Sequence, residues 1–190
     1  RDLLAIDEAH HGDVYRITGH LPSFLFAPAK LSWFKAQRPD LYKRIHSILT
    51  LDAWVAYKLS GEKAVERSAA AEVGLLNVAE GTWAIELLSH LGLSRDFLPA
   101  LTDAGRLLGE VTPEASVRTG LPSGTPVVAA GPDTQCGLLG MGVMRPGDIG
   151  IVAGWSAPVQ MVLDRFCLDH RSRMWSGRHL PPARWILESR

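Results

Sequence analysis

The chain has 190 residues, 46% hydrophobic and 21% charged, with 20 basic and 20 acidic side chains that cancel to zero net charge. That is enough polypeptide for one domain or parts of two, and the balance excludes a global field drawing it to nucleic acid or an acidic membrane surface. Two cysteines, Cys136 and Cys167, are too few for a disulfide framework and point to a reducing compartment, and no apolar run approaches the ~20 residues of a membrane span.

In chain order, residues 1–7 carry no signal-peptide pattern and no starting Met, and both ends read as cut. Residues 1–29 read as loop-rich with one helix near the start. Asp7-Glu8-Ala9-His10 has the letters of a helicase box, but no G-x-x-x-x-G-K-[ST] loop accompanies it, so the match reads as coincidence. His10 and His11 are adjacent and face different ways, which suits surface or loop positions better than a shared metal. Leu31, Trp33, Phe34, Leu41, Tyr42 and Ile45 make a helical apolar face interrupted at Arg38-Pro39-Asp40. Residues 47–50 read as a short strand, and 52–60 as a helix stopped by Gly61. Residues 66–72, rich in Ser and Ala, read as a tight loop lying either near a ligand or against the core. Residues 83–91 predict an amphipathic helix. Thr112 as N-cap and Pro113 at the first helical position predict another.

Residues 126–130 then form an apolar run bounded by turn residues, the pattern of a strand buried on both faces. After Gly131-Pro132 a small-residue helix opens, with Asp133 at the N-cap position. Gly137, Gly140 and Gly142 leave room on it for another backbone or a ligand. Arg145-Pro146-Gly147-Asp148 is a turn, 149–153 a second apolar strand, Gly154-Trp155-Ser156 a small-residue turn, and 159–163 a third strand. Residues 174–177 and 180–189 read as a hairpin. His170 and His179 have no second pair of ligands beside them, so no metal site is expected.

The order of strand, G-P-D turn, helix, R-P-G-D turn, strand and G-x-S turn resembles the lobe junction of the FGGY carbohydrate kinases. The outlying segments agree: Ile17-Thr18-Gly19-His20 with Ala29-Lys30-Leu31-Ser32-Trp33, then L-D-A-W-V-A-Y-K-L-S-G-E, then Glu66 to Glu72, then the run from Trp83 to Pro99. The resemblance implies an α/β, actin-like (RNase H-like) ATPase fold present in part. Residues 1–147 would be the C-terminal part of the first lobe, and 148–190 the truncated start of the second. It implies ATP-dependent phosphorylation of a sugar or polyol hydroxyl, with Asp133 as general base and substrate contact, beside Thr134 and Gln135. It implies nucleotide contact at Gly154, Trp155 and Ser156, although Trp155 stands where the family has Thr. ATP and Mg2+ are the implied cofactors, yet the family's D-x-G-[TS] phosphate and metal loop is absent from these residues. Leu25 stands where glycerol kinases have a Tyr, which disfavours glycerol. A xylulokinase-like substrate is the first reading, and an autoinducer-2-like compound or another polyol the alternative. A non-catalytic remnant that binds a sugar or a partner protein is the reading from a different class. The implied partner is a small-molecule sugar or polyol, with no nucleic acid and no membrane, in the cytoplasm, and the resemblance allows a homo-oligomer.

Overall fold

Local chemistry sets most of the helix ends in the first half of the chain. The computed structural model describes residues 11–154 and 156–189, so Asp7-Glu8-Ala9-His10 and Trp155 lie outside the described residues. α1 (His11–Thr18) buries Val14, Tyr15 and Ile17. His11, expected on a surface or loop, stands half-buried at its head. α2 (Ala27–Gln37) and α3 (Pro39–Tyr42) meet at Arg38, because a residue before proline is driven out of the helical region. α4 (Leu51–Ser60) stops at Gly61, whose φ of 82° suits glycine and few other residues. The expected strand over 47–50 is not a ladder. A single backbone bond, Ile48 N–H to the Phe97 carbonyl at 2.9 Å, ties the segment down.

β1 (Ala64–Glu66) runs parallel to β4 (Ala100–Thr102). Between them come α5 (Arg67–Glu72), the antiparallel pair β2 (Leu76–Asn77) and β3 (Thr82–Trp83), and α6 (Ile85–His90). Residues 66–72, expected as a loop, are therefore a capped helix. The Glu66 carboxylate accepts from the N–H groups of Ser68 at 2.7 Å and Ala69 at 3.1 Å, and from the Ser68 hydroxyl. The alanines that follow have the best intrinsic helix propensity. Trp83, expected to open a helix, sits in β3 instead, where its indole N–H donates to the Pro99 carbonyl at 2.9 Å.

β5 (Leu107–Glu110) leads into α7 (Pro113–Thr119), which Thr112 caps through the Ala115 N–H at 3.2 Å. β6 (Pro126–Val128) returns antiparallel to β5. This strand is shorter than expected and covered on one face only: Val127 and Ala129 are buried, whereas Val128 is 49% exposed. Its apolar run satisfied the pattern of a two-faced strand, but no described layer covers the second face.

α8 (Asp133–Gly140) then carries the chain into a second sheet. β7 (Ile149–Ile151), β8 (Val159–Leu163), β9 (Met174–Arg178) and β10 (Trp185–Ser189) form an antiparallel sheet in the order β7-β8-β10-β9. β6 and β7 thus fall in different sheets with α8 between them.

The second sheet is fastened to the first part of the chain. Phe166 and Trp185 pack on the cluster of Ala53, Val65, Ala69, Ala70, Ala71, Leu76 and Val78. The Tyr15 hydroxyl donates to the Met174 carbonyl at 2.7 Å, and the Ser176 N–H to the Gly19 carbonyl at 3.0 Å. A Cβ on Gly19, at φ 72°, would overlap the Ser176 carbonyl, so only glycine allows this approach. Arg178 Nε and the Trp185 indole N–H both donate to the Val78 carbonyl, at 2.8 and 3.0 Å.

Candidate active site

The Gly131-Pro132 turn sets α8 down on the head of α5. A Cβ on Gly131 would meet the tip of the Leu180 side chain and lie 3.0 Å from Ser68 Oγ and 3.1 Å from Glu66 Oε2, so any side chain there would make its neighbours shift. Pro132, at φ −58° and ψ 151°, occupies the N-cap position and offers no side-chain acceptor. Asp133 is therefore the first helical residue and not the expected N-cap. Its Oδ1 accepts from the Thr134 N–H at 2.8 Å, and the carboxylate is exposed. A negative charge at this place is favoured by the positive end of the helix dipole.

The next side chains turn inward. Thr134 Oγ1 donates to Gln135 Oε1 at 2.7 Å. Gln135 is 1% exposed, and its Nε2 has no hydrogen-bond partner. Half-buried Cys136 lies with Sγ 3.5 Å from the Gly131 carbonyl, a structural placement. The space expected at Gly137 is filled by Val152, whose Cγ2 would be 2.8 Å from a Cβ there. Gly140 and Gly142 do face open space.

Gly154 and Ser156 are exposed, and the Gly154 N–H is spent on the Ser156 carbonyl at 2.7 Å. Among the described residues no hydrogen bond joins this turn to the first turn of α8. Among the described residues no group of three or more His, Cys, Asp or Glu is placed to hold a metal ion. A cavity of about 320 Å³ beneath α4 is lined by Asp52, Glu66 and Val127 among others, but not by Asp133.

Three further polar residues come from distant parts of the chain, Glu72 within electrostatic reach of Asp133 and Glu188, and Gln160 bonded to Glu188. Glu72, the last residue of α5, is half-buried and makes no hydrogen bond or ion pair among the described residues. Burial, then the charges of Glu188 and Asp133, push its carboxyl up to about 7. Glu188 on β10 faces Gln160 on β8, whose Nε2 donates to its carboxylate. Burial raises the Glu188 carboxyl, and the Gln160 bond opposes that in part. Gln160 is fully buried with Oε1 unpartnered. Sequence reasoning passed over all three. Only their convergence marks them, and no local pattern reports it.

The family described as the FGGY family of carbohydrate kinases, N-terminal domain, matches residues 4–140. Among curated proteins, the chain is 37% identical over 167 residues to the autoinducer-2 kinase of Escherichia coli (strain K12), covering 85% of this chain and 31% of that one. The autoinducer-2 kinase of Photorhabdus laumondii is 38% identical over 157 residues, covering 82% and 29%. Among solved structures, xylulose kinase from Rhodospirillum rubrum superposes with a TM-score of 0.88 at 27% identity, covering 98% of this chain and 38% of that one. Plasmodium falciparum glycerol kinase with ADP gives 0.83 at 14% identity, covering 94% and 37%, a likeness of fold alone. The chain carries part of the actin-like ATPase fold, and spans about a third of the length of the curated relatives it matches.

Proposed function

The chain belongs to the FGGY family of carbohydrate kinases, and from that premise we propose that it is the lobe-junction part of an enzyme phosphorylating a sugar or polyol hydroxyl with ATP. Residues 1–147 close the first lobe and 148–190 begin the second. Asp133 is the general base. The observation that carries this role is its exposed carboxylate at the head of α8, between two sheets and free of any ion pair among the described residues.

Phosphoryl transfer asks a protein mainly for positioning and charge stabilisation, plus an acceptor for the attacking hydroxyl's proton. Asp133 takes that proton as the hydroxyl oxygen attacks phosphorus. Its Oδ1 is oriented by the Thr134 N–H, which leaves the rest of the carboxylate for the substrate. Thr134 and Gln135 hold neighbouring hydroxyls, and the Gly154 to Ser156 turn meets the nucleotide phosphates. Metal ligands would come from outside the described residues. Identity of 37% to the autoinducer-2 kinases against 27% to the xylulose kinase favours an acceptor of the autoinducer-2 type over xylulose, the sequence reading's first choice. Free Cys136 and Cys167 suit a cytoplasmic setting.

The test is Asp133→Asn in the complete polypeptide. Asn keeps the acceptor for the Thr134 N–H, so the melting temperature stays within a few degrees of wild type. Transfer to the acceptor falls by about 10²–10⁴-fold, the usual contribution of a general base. A near-normal kcat would remove Asp133 from the chemistry.

A further inference from the structure

α8 is held at both ends. Towards its C-terminus Leu138 is fully buried, and its Cδ2 fills the space over Gly150 of β7, 2.5 Å from where a Cβ would stand. At its head the chain enters through Gly131, which lies against the head of α5. A Cβ there would be 3.0 Å from Ser68 Oγ and 3.1 Å from Glu66 Oε2, tighter than ordinary van der Waals contact. The φ of Gly131 lies outside the left-handed region, so its missing side chain serves close approach and not backbone freedom. Pro132 then fixes φ at −58°, and Asp133 follows as the first helical residue.

The surface on which Gly131 rests is itself rigid. Glu66 is 4% exposed and Ser68 2%. One oxygen, Glu66 Oε2, accepts from the Ser68 N–H at 2.7 Å, the Ala69 N–H at 3.1 Å and the Ser68 hydroxyl. The same oxygen is the one that faces the Gly131 turn. The carboxylate that caps α5 therefore also supports the entry to α8.

We propose that Glu66 and Ser68 are positioning residues for Asp133: their bonded pair seats the Gly131-Pro132 turn and so sets where the Asp133 carboxylate stands against the acceptor hydroxyl. This rests on the kinase reading above. The effect passes through the backbone of Gly131, so it belongs to kcat and not to binding. A displacement of about 1 Å at a reacting group can cost ~10²-fold in rate.

The experiment measures kcat, acceptor KM and ATP KM of the complete polypeptide. Wild type is compared with Gly131→Ala, Ser68→Ala, the double variant of these two, Glu66→Ala and Glu66→Gln, with thermal melts showing which are folded. Gly131→Ala should lower kcat by about 100-fold while both KM values stay within about twofold. Removing Ser68 Oγ makes room for the added methyl, so the double variant should recover about tenfold over Gly131→Ala. Glu66→Ala should lower kcat by about tenfold, and Glu66→Gln, which keeps an acceptor in place, should recover most of that loss. If Gly131→Ala does not fold, the two Glu66 variants decide. A near-normal kcat in folded Gly131→Ala or Glu66→Ala overturns the positioning role and leaves the kinase reading in place. So does a double-variant loss equal to the product of the two single losses. Failure of wild type to phosphorylate any acceptor overturns the kinase reading, and this inference with it.

Discussion

Buried His20 and half-buried Glu72 are titratable groups whose effects on stability oppose each other with pH. The His20 ring is 4% exposed, centred 4.6 Å from Phe26 and 5.2 Å from Trp175, with Nδ1 3.0 Å from the Thr18 carbonyl. Burial lowers it to about 4, against the opposing effect of that hydrogen bond. Between pH 6.5 and 4 the unfolded chain therefore binds the extra proton, and stability falls as the pH falls, by on the order of 3 kcal/mol across the window. Glu72 runs the other way. Its folded value of about 7 lies above the unfolded 4.5, so its contribution is fully present below pH 4.5 and lost as the pH rises through 7. Melts from pH 4 to 8 should show His20→Gln flattening the acid side and Glu72→Gln raising the melting temperature at pH 8 but not at pH 4.5. Identical pH slopes for all three proteins would show that neither group titrates as described. Of the residues proposed for the site, Asp133 stands in a contiguous motif that a sequence can display. The Gln160–Glu188 pair does not, because β8 and β10 bring it together only on folding.

At the scale of elements, what the sequence disclosed depended on whether an element's ends are made by its own neighbours. α4 stopped by Gly61 and α7 begun by Thr112-Pro113 were readable, since each boundary is set within a turn of the helix. α5 was mistaken for a loop because it is one and a half turns long and its cap is a glutamate, a residue seldom used there. β6 was taken as fully covered because an apolar run does not say what will lie against it. The cap of α5 makes its own prediction. Glu66→Ala leaves the N–H groups of Ser68 and Ala69 unpaired in a buried place, at a cost of about 1–3 kcal/mol. Glu66→Gln keeps an acceptor there and should recover more than half of the loss in denaturant melts. Equal losses in the two variants would mean that the charge matters and not the cap.

The whole molecule is less divided than a boundary at residues 147 and 148 suggests. The last sheet is held to the first part by Tyr15, Gly19, Arg178 and Trp185, and His179 Nε2 lies 2.9 Å from the Val143 carbonyl. Arg178 donates to the Val78 and Ala79 carbonyls while its guanidinium lies 4.5 Å from the centre of the Trp185 ring. Arg178→Ala should cost about 2 kcal/mol and lower a single calorimetric transition by roughly 4–8 °C. Two separate transitions, in wild type or variant, would show that the parts melt independently. The exposed apolar side chains Ile149, Ile151 and Val159 on β7 and β8 belong to this scale too, since nothing described covers them.

The Val78 carbonyl holds a mechanical consequence. A carbonyl oxygen has two lone pairs, and here both are engaged, one by Arg178 Nε and one by the Trp185 indole. Sliding the last sheet across the first part would have to break both bonds together. The Tyr15–Met174 and Ser176–Gly19 bonds cross the same seam, so the last sheet is clamped at several points along β9 and not pivoted on one atom.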